Sequence, residues 1–163
     1  MKPDIAIAAG NILRKLYFMG LTYLHLSPDQ HPPELRCGAF RALIISEVEV
    51  AQEWRNRIAH WLLKSGCLYL VAWGVECENW HDTVDWTNLE EFDFGDIPDD
   101  RFVMTTWHAG EPLSEAMWFA GQNAFHPHIE LGDTVIVHVA TEAKEVEIVA
   151  AYASSQTLPP EDG

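Results

Sequence analysis

The sequence has few basic residues, and most of them lie in its first part. Ten Lys and Arg stand against 25 Asp and Glu, giving a net charge of −15 over 163 residues. Residues 1–64 carry eight basic and six acidic side chains, whereas residues 65–163 carry two basic and nineteen acidic ones. A surface of this sign repels phosphate groups, which argues against direct binding to nucleic acid or to an anionic membrane surface.

Cysteine and long apolar runs are also scarce. Cys37, Cys67 and Cys77 are an odd set with no C-x-x-C spacing, which disfavours a disulfide framework and indicates a reducing cytoplasm. The most apolar stretch, residues 5–26, is interrupted by Arg14 and Lys15 and is followed by no clear cleavage site. It therefore predicts neither a membrane span nor a signal peptide.

No glycine-rich loop follows the first predicted strand of the main domain. A dinucleotide site of the usual kind needs glycines there, so that backbone N–H groups can approach the phosphates, but the chain has Ser46-Glu47-Val48-Glu49. A Walker-type glycine-lysine loop is absent, and no lysine stands directly at the end of the last predicted strand, as a phosphoacceptor domain would require. We therefore expect no cofactor.

Short apolar runs followed by segments of helical period make up residues 41–153. Strands are predicted at 42–46, 67–73, 101–107 and 134–139, and helices after each of them. Runs that are apolar on consecutive residues favour a parallel sheet covered on both faces. The pattern predicts an α/β domain, a three-layer Rossmann-like or flavodoxin-like sandwich with about four parallel strands. A capping-box pattern at Thr87 predicts that the second crossover is broken into two helices.

The remaining residues flank this domain. Residues 1–40 are predicted to hold an N-terminal helical or extended segment, with a helix over 6–19 and an extended stretch over 21–26, and a proline-rich connection. Residues 154–163 read as a polar tail. One domain is the expectation for a chain of this length.

Ligands of open parallel sheets bind outside the carboxyl ends of the strands, where the strand order reverses. If the four predicted strands lay in the sheet in the order second, first, third, fourth, the reversal would fall between the first and the third. Glu47 and His108 would then face each other across it. Trp73 and Trp107 each end a strand and could form the walls of a cleft, although large aromatic residues there are more often core lids. The candidate ligand-binding residues are Glu47, Trp73, Asp85, Trp107 and Glu111.

Two catalytic arrangements are compatible with the same loops. Cys77 could act as a nucleophile, with His81 or His108 as base and Asp82 or Asp85 orienting the base. Alternatively, His81, Asp82, Asp85 and His108 could hold a divalent metal ion. Neither set has a diagnostic spacing, and a packed thiol and solvated carboxylates are the simpler interpretation, so no metal ligand is assigned.

Three segments carry a family resemblance: residues 73–82 (WGVECENWHD), 99–108 (DDRFVMTTWH) and 125–127 (FHP). Together they resemble a family of short uncharacterised bacterial proteins, over about residues 40–153. The resemblance implies a bacterial cytoplasmic source and carries no activity, cofactor or catalytic residue.

The charge distribution leads to the first functional hypothesis. Residues 76–100 contain ten acidic side chains and no Lys or Arg, and such a field speeds association with cationic surfaces. We expect an acidic binding or regulatory module, of the immunity-protein or inhibitor kind, that docks a basic protein partner through the strand-end face. The alternatives are a small hydrolase built on Cys77 or on a His/Asp metal site, and a pocket for a small polar or cationic ligand.

Overall fold

The computed structural model describes residues 20–157, in which strands and helices alternate. The strands are β1 Leu21–Leu26, β2 Phe40–Ser46, β3 Cys67–Gly74, β4 Met104–Trp107 and β5 Asp133–Val139. The helices are α1 Gln52–Ser65, α2 Cys77–Glu91, α3 Leu113–Gln122 and α4 Glu145–Gln156, with a short 3-10 turn at Asp99–Arg101. The predicted helix over 6–19 lies outside these residues.

The five strands form one parallel sheet in the order β1-β5-β2-β3-β4. The α/β class and the parallel sheet are confirmed, but the prediction of about four strands is wrong, because β1 adds a fifth. The strand order considered above is not found, since β4 pairs with β3 at one edge and β5 lies next to β2. Apolar runs identify strands but do not specify their neighbours.

Helices cover both faces of the sheet in two pairs. α1 packs with α2 on one face, and α3 packs with α4 on the other. α2 lies on the side of the sheet to which Thr105 points, because the Thr105 hydroxyl donates a hydrogen bond to Asp85. α3 lies on the side to which Tyr69 points, because the Tyr69 ring contacts Phe119. With both faces covered, all seven side chains of β5 are buried.

α2 is continuous from Cys77 to Glu91, so the predicted break at Thr87 is wrong. The Thr87 hydroxyl donates to the carbonyl of Thr83, one turn earlier, and does not cap a helix start. By contrast, α1 ends as predicted at Gly66, whose φ of 109° suits the left-handed helix end that glycine favours.

The segment preceding β2 is part of the same packed unit. β1 pairs with β5, although residues 1–40 were expected to precede the α/β domain. The proline-rich connection lies against α1, where the indole N–H groups of Trp54 and Trp61 donate to the carbonyls of Gln30 and Pro33. At the other end, α4 continues to Gln156, three residues into the predicted polar tail. Within residues 20–157, no helix has the length and apolar character needed to cross a membrane.

Candidate functional site

The chain reverses direction across the sheet between β2 and β5. β2 leads into α1 on one face, whereas β5 leads into α4 on the other, so the two connections separate at the carboxyl ends of adjacent strands. This divergence creates the crevice in which open parallel sheets commonly bind ligands.

Four polar side chains fill this crevice. The Tyr23 hydroxyl lies 2.6 Å from Nδ1 of His138 and accepts a hydrogen bond from the backbone N–H of Lys144, at 3.0 Å. Glu47 approaches from the end of β2, with Oε2 3.1 Å from Nε2 of His138 and Oε1 3.1 Å from Nζ of Lys144. The network therefore joins the middle of β1 and the carboxyl ends of β2 and β5 to the start of α4.

The neighbours of His138 decide how its imidazole proton is assigned. The Glu47 carboxylate can only accept a hydrogen bond, so the proton is placed on Nε2, facing Glu47, and Nδ1 accepts the proton of the Tyr23 hydroxyl, whose oxygen in turn accepts the Lys144 N–H. His138 is fully buried. The contact of Nε2 with Glu47 is short but not aligned as a hydrogen bond, so this buried donor lacks a well-formed acceptor within residues 20–157.

Burial and neighbouring charge set the ionisation of the network. Burial lowers the pKa of His138 below its ordinary 6.5, partly opposed by Glu47, so the imidazole is neutral at pH 7. Burial alone would raise the pKa of Glu47, but the contacts with Lys144 and His138 outweigh it and lower that pKa. Burial raises the pKa of Tyr23. A carboxylate with a lowered pKa and a buried imidazole suit a structural ion network better than proton transfer to a substrate.

Glu47 does not face His108, because the strand order on which that arrangement depended is not the one in the structure. β4 lies two strands away from β2, and the imidazole of His108 is bound within its own loop: Nδ1 lies 2.7 Å from Glu111 and Nε2 lies 3.1 Å from the Thr106 hydroxyl. The partner of Glu47 across the reversal is His138, within the predicted fourth strand. Sequence reasoning missed Tyr23, His138 and Lys144, although a histidine interrupting an otherwise apolar strand was a usable signal.

His81, Asp82 and Asp85 lie together but do not converge on a point. Nδ1 of His81 lies 2.9 Å from Asp82, while Nε2, on the opposite side of the ring, lies 3.5 Å from Asp85. Asp85 also accepts a hydrogen bond from Thr105. Because the two carboxylates bind different nitrogens, they share no metal position, and within residues 20–157 no group of three or more His, Cys, Asp or Glu residues could hold a metal ion.

Trp73 and Trp107 lie on opposite faces of the sheet and cannot form two walls of one cleft. Trp107 pairs with Ala72, so Trp73, the next residue, points the other way. The Trp73 indole donates to the carbonyl of Glu111 on the α3 side, whereas the Trp107 ring packs on His81 of α2, at 4.4 Å.

Cys77 is the first residue of α2, and its side chain is buried. Within residues 20–157 it makes no hydrogen bond with an imidazole, and no disulfide joins the three cysteines. Thiol catalysis requires a base within hydrogen-bond reach, so this geometry does not support the Cys77 arrangement.

All three thiols are expected to react slowly in the folded protein. Cys37 and Cys77 are buried, and burial raises the pKa of Cys67 to about 12, which leaves almost no thiolate at pH 8. Titration with Ellman's reagent should release three equivalents only after unfolding in urea. Rapid native labelling of Cys77 would contradict its burial and reopen the catalytic hypothesis.

A second notable surface is the outer side of α2, opposite its buried Trp80 and Val84. It carries an exposed aromatic pair, Trp86 and Phe94, whose rings meet edge to face at 4.9 Å. Acidic residues surround the pair. We call this surface the α2 face; it consists of Glu78, Asp82, Trp86, Leu89, Glu90, Asp93 and Phe94.

The fold and its strand-end network define a parallel α/β domain in which the usual ligand crevice is filled by the chain's own side chains. The family model described as a domain of unknown function (DUF7684) matches residues 21–155, and the chain belongs to this family. No curated protein sequence and no solved structure matches the chain.

Proposed function

We propose that this protein is an acidic binding module, of the immunity-protein or inhibitor kind, that docks a basic protein partner through the α2 face. The observation that carries the proposal is the exposed Trp86–Phe94 pair, set among acidic side chains. Trp86 is 61% exposed and Phe94 is 54% exposed. Large aromatic residues are enriched in the centres of protein interfaces, where they supply most of the binding energy.

The position of Phe94 is held by the turn that ends α2. Its N–H donates to the carbonyl of Leu89 and that of Asp93 to Glu90, while Asp93 and Phe94 have φ angles of 52° and 58°. A bulky residue with positive φ is an uncommon, strained conformation, and such conformations cluster at functional positions. The turn presents Phe94 beside Trp86 in a fixed geometry, which lowers the entropic cost of binding.

The charges around this pair favour a cationic partner. Of the ten acidic residues in 76–100, Glu76 pairs with the buried Arg55 and Glu91 pairs with Arg101. The other eight have no Lys or Arg partner within residues 20–157. Self-association through this face would bring like charges together, so a basic partner fits it better than a second copy of the chain.

The experiment is affinity capture from the native host, with partners identified by mass spectrometry and rebuilt from purified components. We propose that the host is a bacterium and that the partners meet in its cytoplasm. We expect a protein of high isoelectric point whose dissociation constant rises steeply between 50 and about 300 mM salt. Trp86→Ala should weaken binding by about 30-fold or more, the loss typical of an interface hot spot.

Charge reversal provides the matched comparison. Glu78→Lys with Asp82→Lys changes the α2 face, and Glu142→Lys with Glu147→Lys makes an equal change on exposed residues around the start of α4. The first pair should slow association, and the second should leave it near the wild-type rate. The proposal fails if both pairs have the same effect, if the recovered partner binds independently of salt, or if sedimentation shows that the α2 face joins two copies of the chain.

A further inference from the structure

The crevice between β2 and β5 contains a buried donor, Nε2 of His138, that lies close to the carboxylate of Glu47. His138 is fully buried, and its Nε2 has no well-aligned acceptor within residues 20–157. Glu47 provides the near polar atom, with Oε2 at 3.1 Å, while its other oxygen binds Nζ of Lys144. Without the Glu47 carboxylate, a buried N–H and an ammonium group would face the same space.

The place and chemistry of this space are those of an anion site. Anions bind at the N-termini of helices, where backbone N–H groups and the helix dipole attract them, and α4 begins beside Lys144 with no side-chain cap. Three other groups lie around this space. The Tyr23 hydroxyl accepts the Lys144 N–H, and His25 donates to the Ala140 carbonyl. Glu145 adds one negative charge nearby. Among residues 20–157, the groups close to the Glu47 carboxylate are Nε2 of His138 and Nζ of Lys144, each 3.1 Å from one of its oxygens.

We propose that this crevice is an anion-binding site in which Glu47 is the built-in ligand, and that a small carboxylate takes its place when the Glu47 side chain is removed. The site is closed to external ligands in the wild-type chain, because Glu47 occupies it. This explains how a parallel α/β domain without a glycine-rich loop fills its strand-end crevice, and it is independent of the α2 face.

The test is the thermal unfolding of Glu47→Ala in sodium acetate and in sodium chloride of equal ionic strength, at pH 7. Acetate should raise the melting temperature of the variant by about 3–6 °C at ten times its dissociation constant. Wild-type protein and Glu142→Ala, which removes an exposed carboxylate after β5, should melt at the same temperature in both salts. Adding Lys144→Met to Glu47→Ala should raise the acetate concentration needed.

The imidazole nitrogens of His138 locate the bound anion. In ¹⁵N spectra of Glu47→Ala, acetate should shift the Nε2 resonance of His138 and leave that of His60, on α1, in place. If Glu47→Ala does not fold, Glu47→Ser is refolded in acetate and examined in the same way. The proposal is overturned by equal melting temperatures in the two salts, by an equal acetate effect on Glu142→Ala, by an unchanged His138 resonance, or by failure of both variants to fold in acetate.

Discussion

Replacing Gly74 with alanine is expected to lower the free energy of unfolding by about 3–5 kcal/mol. Gly74 ends β3 with φ of 100°, and a Cβ atom there would lie 2.1 Å from the carbonyl oxygen of Ser46. That oxygen accepts the N–H of Val75 and cannot move without breaking the contact between the ends of β2 and β3. Urea unfolding followed by tryptophan fluorescence measures the loss.

Gly110 supplies the matched control. It has a similar positive φ of 74°, but an added Cβ would meet no heavy atom within 4 Å. Gly110→Ala should therefore cost only the backbone strain, about 1–2 kcal/mol. If the two substitutions cost the same, the close approach at Ser46 contributes nothing, and the ends of β2 and β3 are less tightly joined than the structure indicates.

Local sequence patterns predicted the elements better than their arrangement. The ends of β2, β3 and β5 were each predicted to within two residues, because a long run of apolar residues is a clear sequence signal for a buried strand. β4 is shorter than its predicted 101–107, since the backbone groups of residues 101–103 bind side chains outside the sheet. The Asn88 side chain donates to the Arg101 carbonyl and accepts the Val103 N–H, and His126 donates to the Phe102 carbonyl. Side chains distant in the sequence thus remove these backbone groups from the sheet.

The candidate site was predicted only in part, because the sequence indicates where strands end but not which strands are neighbours. The position of Glu47 follows from its place after β2, and the structure puts it at the reversal between β2 and β5. Its partner depended on strand order, which is decided by pairing between residues more than a hundred positions apart, such as Tyr23 with Ile136. His138 was therefore not recognised, although its strand was.

The stability of the fold is expected to fall on acidification in two steps that arise at Glu47 and His138. Burial lowers the pKa of His138 in the folded chain. As the pH falls, the unfolded chain therefore binds a proton at this residue near pH 6.5, whereas the folded chain binds it only at a lower pH. Stability from this residue is present above pH 6.5 and is lost as the pH falls through the lower folded pKa, with a slope of up to about 1.4 kcal/mol per pH unit for one proton. Glu47, whose pKa is also lowered, adds a second loss below pH 4.5.

His138→Gln should remove the first of these steps, because an amide can still contact Tyr23 and Glu47 but does not titrate. Stability at pH 7 should fall by about 1–3 kcal/mol, since the amide satisfies the buried groups less well. Urea unfolding at half-unit intervals from pH 5 to 8 gives the slope, with His60→Gln as the control on the exposed side of α1. His60→Gln should keep the wild-type slope below pH 6.5. An unchanged slope in His138→Gln would show that another histidine carries the acid sensitivity, and that the Tyr23–His138–Glu47 network exerts no control over the stability of the strand ends.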